Sequence, residues 1–146
     1  QAGNLVGRAN TSNNLGDVYF AQGQPGKAIG AYRLALSYGR DSNDLTAKLH
    51  AIDGLIDVYS DRSDWPQVRH YLDERIALTL DGGSDWGRLM TFKRLGEFYE
   101  ATGDLTSAQT RYEQAYELAS LLDETTLRAE LFNRLLTFQG RQDSRD

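Results

Sequence analysis

Residues 95–115 read LGEFYEATGDLTSAQTRYEQA, and their spacing decides the fold. Leu95, Gly96 and Tyr99 fall on one face of a first helix, and Ala108, Tyr112 and Ala115 share one face of a second. Gly103 and Asp104 mark the turn between them. Small residues at Gly96 and Ala108 predict a close approach of the two backbones, with Tyr99 and Tyr112 filling the space on either side. A single hairpin of this kind cannot bury its own apolar face, so further copies are expected.

Forty residues earlier, Leu55, Val58 and Tyr59 occupy the places of Leu95, Phe98 and Tyr99, and forty earlier again stand Leu15, Val18 and Tyr19. In the second helices the same step relates Ala108, Tyr112 and Ala115 to Val68, Leu72 and Arg75, then to Ala28, Tyr32 and Ala35. The middle copy departs from the others at Ile56, Ser63, Val68 and Arg75. The pattern of Leu-Gly-x-x-Tyr, a turn glycine and Ala-x-x-x-Tyr-x-x-Ala resembles the tetratricopeptide repeat (TPR) family. That resemblance covers roughly residues 5 to 138. It implies an all-α, TPR-like α-solenoid, a right-handed superhelix of three hairpins plus a C-terminal capping or half-repeat helix.

Caps and breakers place the elements. Repeats are expected over about 5–39, 44–82 and 85–122, a terminal helix over 124–139 and a polar tail over 140–146, all in a single domain. Gly23 ends the first helix and Pro25 suits the first turn of the second, which should stop before Gly39 and leave 40–43 as a linker. Asp44 and Asp64 are caps for the third and fourth helices. The chain opens on Gln1 rather than methionine and reads as a piece of something longer.

Composition excludes several function classes. With no cysteine, disulfides, thiolate metal sites and cysteine nucleophiles are absent together. A net charge of −5 argues against nucleic acid, whose phosphates need clustered lysine and arginine. No apolar run approaches a membrane span of ~18 residues, and no secretory signal opens the chain, so no membrane partner and a cytoplasmic location are expected. Gly23–Lys27 lacks the first glycine and the Ser/Thr of a phosphate loop, with Ala21 and Ala28 in their places, and reads as a helix corner. His50 and His70 lie on different helices and neither has a second histidine or a cysteine at helical spacing, so no metal is expected, nor any cofactor or catalytic residue. Asn10-Thr11-Ser12 matches a glycosylation sequon but falls within a helix.

The 40-residue period exceeds the usual 34 and resembles a TPR branch found in regulators of G-protein signalling and in bacterial regulators. The resemblance implies a concave groove, lined by the first helices, that binds a protein or peptide. Transferred here, it selects Asn10, Asn13, Asn14 and Asp17, then His50, Asp53 and Asp57, then Met90, Lys93, Arg94 and Glu97. Asp17, Asp57 and Glu97 recur in register and predict a row of carboxylates about 10 Å apart. Asp53 and Asp61 thicken its middle, while Lys93, Arg94 and Arg134 make the far end basic, so a partner with a basic segment is expected. Phe20 is a candidate anchor at the groove's edge. Arg8, Lys48, Arg88 and Arg128 form an opposite column explained by helix-surface pairing, as in Asp44–Lys48 and Asp85–Arg88. A chaperone-tail clamp is rejected, because its places hold Asn13, Asp17, Gly54, Met90 and Arg94, of which only Arg94 fits. Asn14 suits the backbone-binding asparagine of the long-repeat branch. The alternatives are a small-ligand sensor segment of a transcription regulator or signalling enzyme, and a self-assembly scaffold using the faces at 127–138 or 5–18.

Overall fold

The computed structural model describes residues 2–145, which form seven α-helices: α1 (Ala2–Ala21), α2 (Pro25–Ser42), α3 (Leu45–Asp61), α4 (Trp65–Thr79), α5 (Asp85–Thr102), α6 (Leu105–Leu121) and α7 (Thr125–Asp143). They divide into two compact units, Gln1–Arg75 and Ile76–Asp146. In the first, α1 packs on α2 and both pack on α3; in the second, α5 packs on α6 and α6 on α7.

Turn chemistry explains the short connections. Each turn contains one residue in left-handed backbone: Gly23, Asn43, Ser63, Gly82, Gly103 and Asp123. At the three matched corners the next amide then bonds back across the turn at 2.9 Å, from Gln24 to Tyr19, Asp64 to Tyr59 and Asp104 to Tyr99. Ser63, at φ 54, adopts without glycine's freedom the conformation that Gly23 and Gly103 supply at little steric cost. At the helix starts, Asp44, Ser84 and Asp104 accept from the amides of Ala47, Gly87 and Ser107.

Two helices run longer than their glycines suggested. α2 continues through Gly39 and the expected linker to Ser42, because Gly39 serves a different purpose: a Cβ there would lie 3.3 Å from the backbone nitrogen of Lys48. The glycine marks where α3 crosses closely. α7 passes Gly140 and reaches Asp143, so most of the expected polar tail is helical. Gly140 costs a helix about 1 kcal/mol. Against that, Arg141 covers the Phe138 ring at 5.8 Å and Gln142 reaches Gln109 at 3.5 Å. α4, by contrast, stops at Thr79, and Gly82 belongs to the turn.

The core is built on tyrosine against glycine. A Cβ on Gly96 would sit 2.6 Å from two ring atoms of Tyr112, and one on Gly16 would sit 2.5 and 2.6 Å from the ring of Tyr32. The glycine that recurs at this register, Gly16 and Gly96, therefore makes room for an aromatic ring. Tyr32 is also closed in from α3, where a Cβ on Gly54 would lie 2.5 Å from its Cε1. In the middle hairpin the matching places hold Ile56 and Leu72, both buried. An aliphatic pair there replaces the glycine–tyrosine pair.

Leu15 corrects a second expectation. Its register partners Leu55 and Leu95 are buried, yet Leu15 is 45% exposed and Val18 49%. In unit 1 the inner face of α3 is covered by α1 and α2, whereas no described helix lies over this side of α1.

Candidate protein-binding surface

In unit 1, Tyr32 brings the candidate residues together. Its ring is buried, and its hydroxyl emerges beside α1, donating to Asp17 Oδ1 at 2.5 Å. Asp17 itself is exposed and also meets His50 Nε2 of α3, at 2.9 Å from Oδ2 and 3.2 Å from Oδ1. The carboxylate is thus fixed from two helices while half its side chain faces solvent. Burial pushes the Tyr32 hydroxyl well above the ordinary tyrosine range; the bond to Asp17 and the charges of Asp17 and Asp57 push the same way. Asp57, one repeat on, is exposed and close enough for that charge to be felt. Two carboxylates and a protonated phenol therefore share one surface.

Unit 2 repeats the plan with a different partner. Tyr112 is fully buried, and Arg134 of α7 donates from Nη1 to its hydroxyl at 2.7 Å while the guanidinium lies 5.4 Å over the ring. Burial pushes the Tyr112 hydroxyl up against the pull of Arg134, and the charges of Glu100 and Glu97 add to the rise. Burial opposes the charge on Arg134, but Tyr112, Glu97 and Glu100 outweigh it. Glu97 stands where Asp17 and Asp57 stand in their helices, and is partly exposed.

Several candidate residues take other roles. Asn13 is 0% exposed: its Nδ2 donates to the carbonyl of Ala47 at 3.1 Å, tying α1 to α3, so it belongs to the core and not to the groove. Met90 packs against the α5–α6–α7 core cluster. Asp53 turns to α4 and grips Arg75 through two bonds of 2.9 and 3.2 Å. Arg75 is 4% exposed and stands where the other hairpins have the buried Ala35 and Ala115. The basic end is largely neutralised: Lys93 lies 3.2 Å from Glu130 and 3.9 Å from Glu97, and Arg134 lies 3.7 Å from Glu130. Arg94 is half-buried, as is Phe20, whereas Asn10, Asn14 and Asp61 are exposed. In the opposite column, Lys48 bonds Asn43 at 3.2 Å rather than its expected Asp44, Arg88 pairs with Asp85, and Arg8 lies 6.0 Å over Tyr38.

Sequence reasoning missed Tyr32 and Tyr112 as walls of the surface, because both were assigned wholly to the core. Their hydroxyls were the available signal, since a buried phenol needs a polar partner near the surface. It also missed Arg75 and Glu130. Arg75 was visible as an arginine at an alanine position, and such a residue, when buried, needs a carboxylate across a helix pair.

Among the described residues, no group of three His, Asp or Glu side chains is placed to hold a metal ion, and no helix is long and apolar enough to cross a membrane. Comparison with curated proteins gives no significant match. Among solved structures, the fold is similar to the C-terminal TPR-containing domain of a Plasmodium falciparum protein described as an FK506-binding protein. The TM-score is 0.63 at 17% identity over 96% of each chain, a likeness of fold alone. Two family models, both described as tetratricopeptide repeat, match residues 9–41 and 91–126. The middle hairpin, with its Ile56, Leu72 and Arg75, lies between the two matches. With three helical hairpins and a seventh helix recurring at a 40-residue period, and both flanking hairpins matched, this chain is a tetratricopeptide repeat protein of the all-α, TPR-like solenoid class.

Proposed function

We propose that the chain binds an extended peptide or protein segment through the carboxylates gathered at its buried tyrosines, and that the segment carries basic side chains. Tetratricopeptide repeats are protein-interaction modules in general, which supports the class of activity. The observation that carries the finer reading is the half-exposed Asp17 carboxylate, held by the Tyr32 hydroxyl and by His50, with Asp57 beside it. A carboxylate already oriented by two donors loses little freedom when it meets a lysine or arginine, so more of the interaction appears as affinity. Asp17 and Asp57 are the first contacts, with Asn10, Asn14 and Asp61 around them; Glu97 and Glu100 offer the same chemistry in unit 2. Asn13, Asp53 and Met90 are left out of the surface.

The test is fluorescence anisotropy against a positional library of octapeptides, each bearing two lysines or arginines. Binding to the best of these should weaken about tenfold in Asp57→Lys, and its dependence on salt should flatten. Thermal stability should change little, since Asp57 is exposed. Unchanged affinity in Asp57→Lys and Asp17→Asn, or a preference for acidic octapeptides, would remove the carboxylates from the mechanism.

A further inference from the structure

The register carboxylates of the two units are answered by different cations. In unit 2, Glu97 and Glu130 stand 33 residues apart on α5 and α7, and Lys93 lies 3.9 Å from the first and 3.2 Å from the second. A lysine carries its charge throughout the neutral range, so these acids are matched from within the fold. In unit 1 the same step of 33 residues leads from Asp17 to His50 on α3. The place of Lys93 is held there by Asn13, which is buried and turned to Ala47. Among the described residues no lysine or arginine pairs with Asp17; its partners are the Tyr32 hydroxyl and His50.

An ionised carboxylate has no hydrogen to offer, so the imidazole Nε2, 2.9 Å from Oδ2, carries one and donates. That bond forms whether the ring is neutral or charged. Histidine is the side chain whose charge ordinarily changes between pH 5 and 8, so what pH alters here is the charge and not the contact. The His50 side chain is 43% exposed and that of Asp17 50%, so the ring meets solvent protons at the same spot where a ligand's cation would arrive. The other ionisable groups around the ring are few. α1 brings Asp17, and α2 brings the Tyr32 hydroxyl that shares it; α3 adds Asp53 and Asp57, three and seven residues on, and α4 adds Arg75, which bonds Asp53. The histidine is therefore the group at Asp17 that changes charge near neutrality.

We propose that His50 makes this site responsive to pH: when protonated it supplies Asp17 with the cation that a bound segment otherwise brings, so a basic segment is held at neutral pH and released on acidification. Neutral His50 orients the carboxylate and leaves its charge to the ligand. Charged His50 neutralises it and also repels the incoming lysine or arginine. By linkage, binding of the segment must in turn expel the proton from the ring. The proposal rests on the peptide-binding reading above and adds the condition under which that site is open.

The probe is the tightest-binding dilysine octapeptide of the library, with blocked termini and no histidine, so its own charge is constant. Its affinity for the full chain should fall about fivefold between about pH 7.5 and about pH 5.5, the scale of one exposed ion pair. His50→Gln keeps a donor but cannot charge, so its affinity should stay at the neutral wild-type value throughout; His50→Lys should bind weakly at both ends. His70→Gln alters the only other histidine and should leave the response intact. In the free protein, the carbon shift of the Asp17 carboxyl should follow the His50 ring as it titrates. Constant affinity across this range, in a protein that still loses binding in Asp57→Lys, would overturn the pH response and leave the peptide reading standing. If no octapeptide binds through Asp17 or Asp57, both fall. A full response in His50→Gln, or an Asp17 carboxyl that does not sense the ring, would likewise overturn the assignment to His50.

Discussion

Replacing Gly54 by alanine tests the packing principle of unit 1 directly. The new methyl would lie 2.5 Å from Cε1 and 2.7 Å from Cε2 of Tyr32. Ordinary carbon–carbon contact is ~3.5 Å or more, so the ring must retreat by about 1 Å. Gly16 blocks that retreat, since any Cβ there would itself be 2.5 Å from the ring, and the bond to Asp17 holds the hydroxyl. Overpacking of this kind costs about 1–3 kcal/mol, and a ring confined on both sides belongs near the upper end. Alanine returns about 1 kcal/mol of helix propensity, leaving a net destabilisation of about 1–2 kcal/mol. Urea unfolding followed by far-ultraviolet circular dichroism measures it, provided the slope with denaturant is unchanged. Gly30→Ala is the control, because nothing lies within 4 Å of that position, and it should stabilise by about 0.5–1 kcal/mol. Tyr32→Leu recreates the aliphatic arrangement of Ile56 and Leu72, so the double variant with Gly54→Ala should be at least about 1 kcal/mol better than the sum of the singles. A Gly54→Ala protein as stable as the wild type, or strictly additive effects, would refute the reasoning.

Two further outcomes follow from the buried polar groups. Asp53→Ala removes the carboxylate that faces the nearly inaccessible guanidinium of Arg75 and should cost about 3 kcal/mol in thermal or urea unfolding; a loss under about 1 kcal/mol would mean that the pair contributes little to holding α4. The hydroxyls of Tyr32 and Tyr112 are held above their unfolded value, so their stabilising contribution is complete below about pH 10 and fades as pH rises beyond it. Absorbance titration at alkaline pH should show these two of the eight tyrosines ionising only with unfolding, and a single transition near pH 10 for all eight would contradict their burial.

The helix boundaries were legible where a capping residue spoke, as at Asp44 or Gly103, because a cap acts within four residues of itself. Gly39 and Gly140 were read as ends and proved to lie inside helices. A glycine in a sequence does not say whether it is needed for a turn or for a neighbour's approach, and Gly39 is needed for α3.

Periodicity by itself determined the helical hairpins, their 40-residue repeat and the outward placing of Asp17, Asp57 and Glu97, since a face repeated at fixed spacing is a property of one helix at a time. Tertiary structure alone decided that Asn13 and Asp53 turn inward to Ala47 and Arg75, that Lys93 meets Glu130, and that Leu15 stays uncovered where Leu55 does not. Each of these depends on which side chain arrives from another helix, and the register within a single helix carries no record of that meeting.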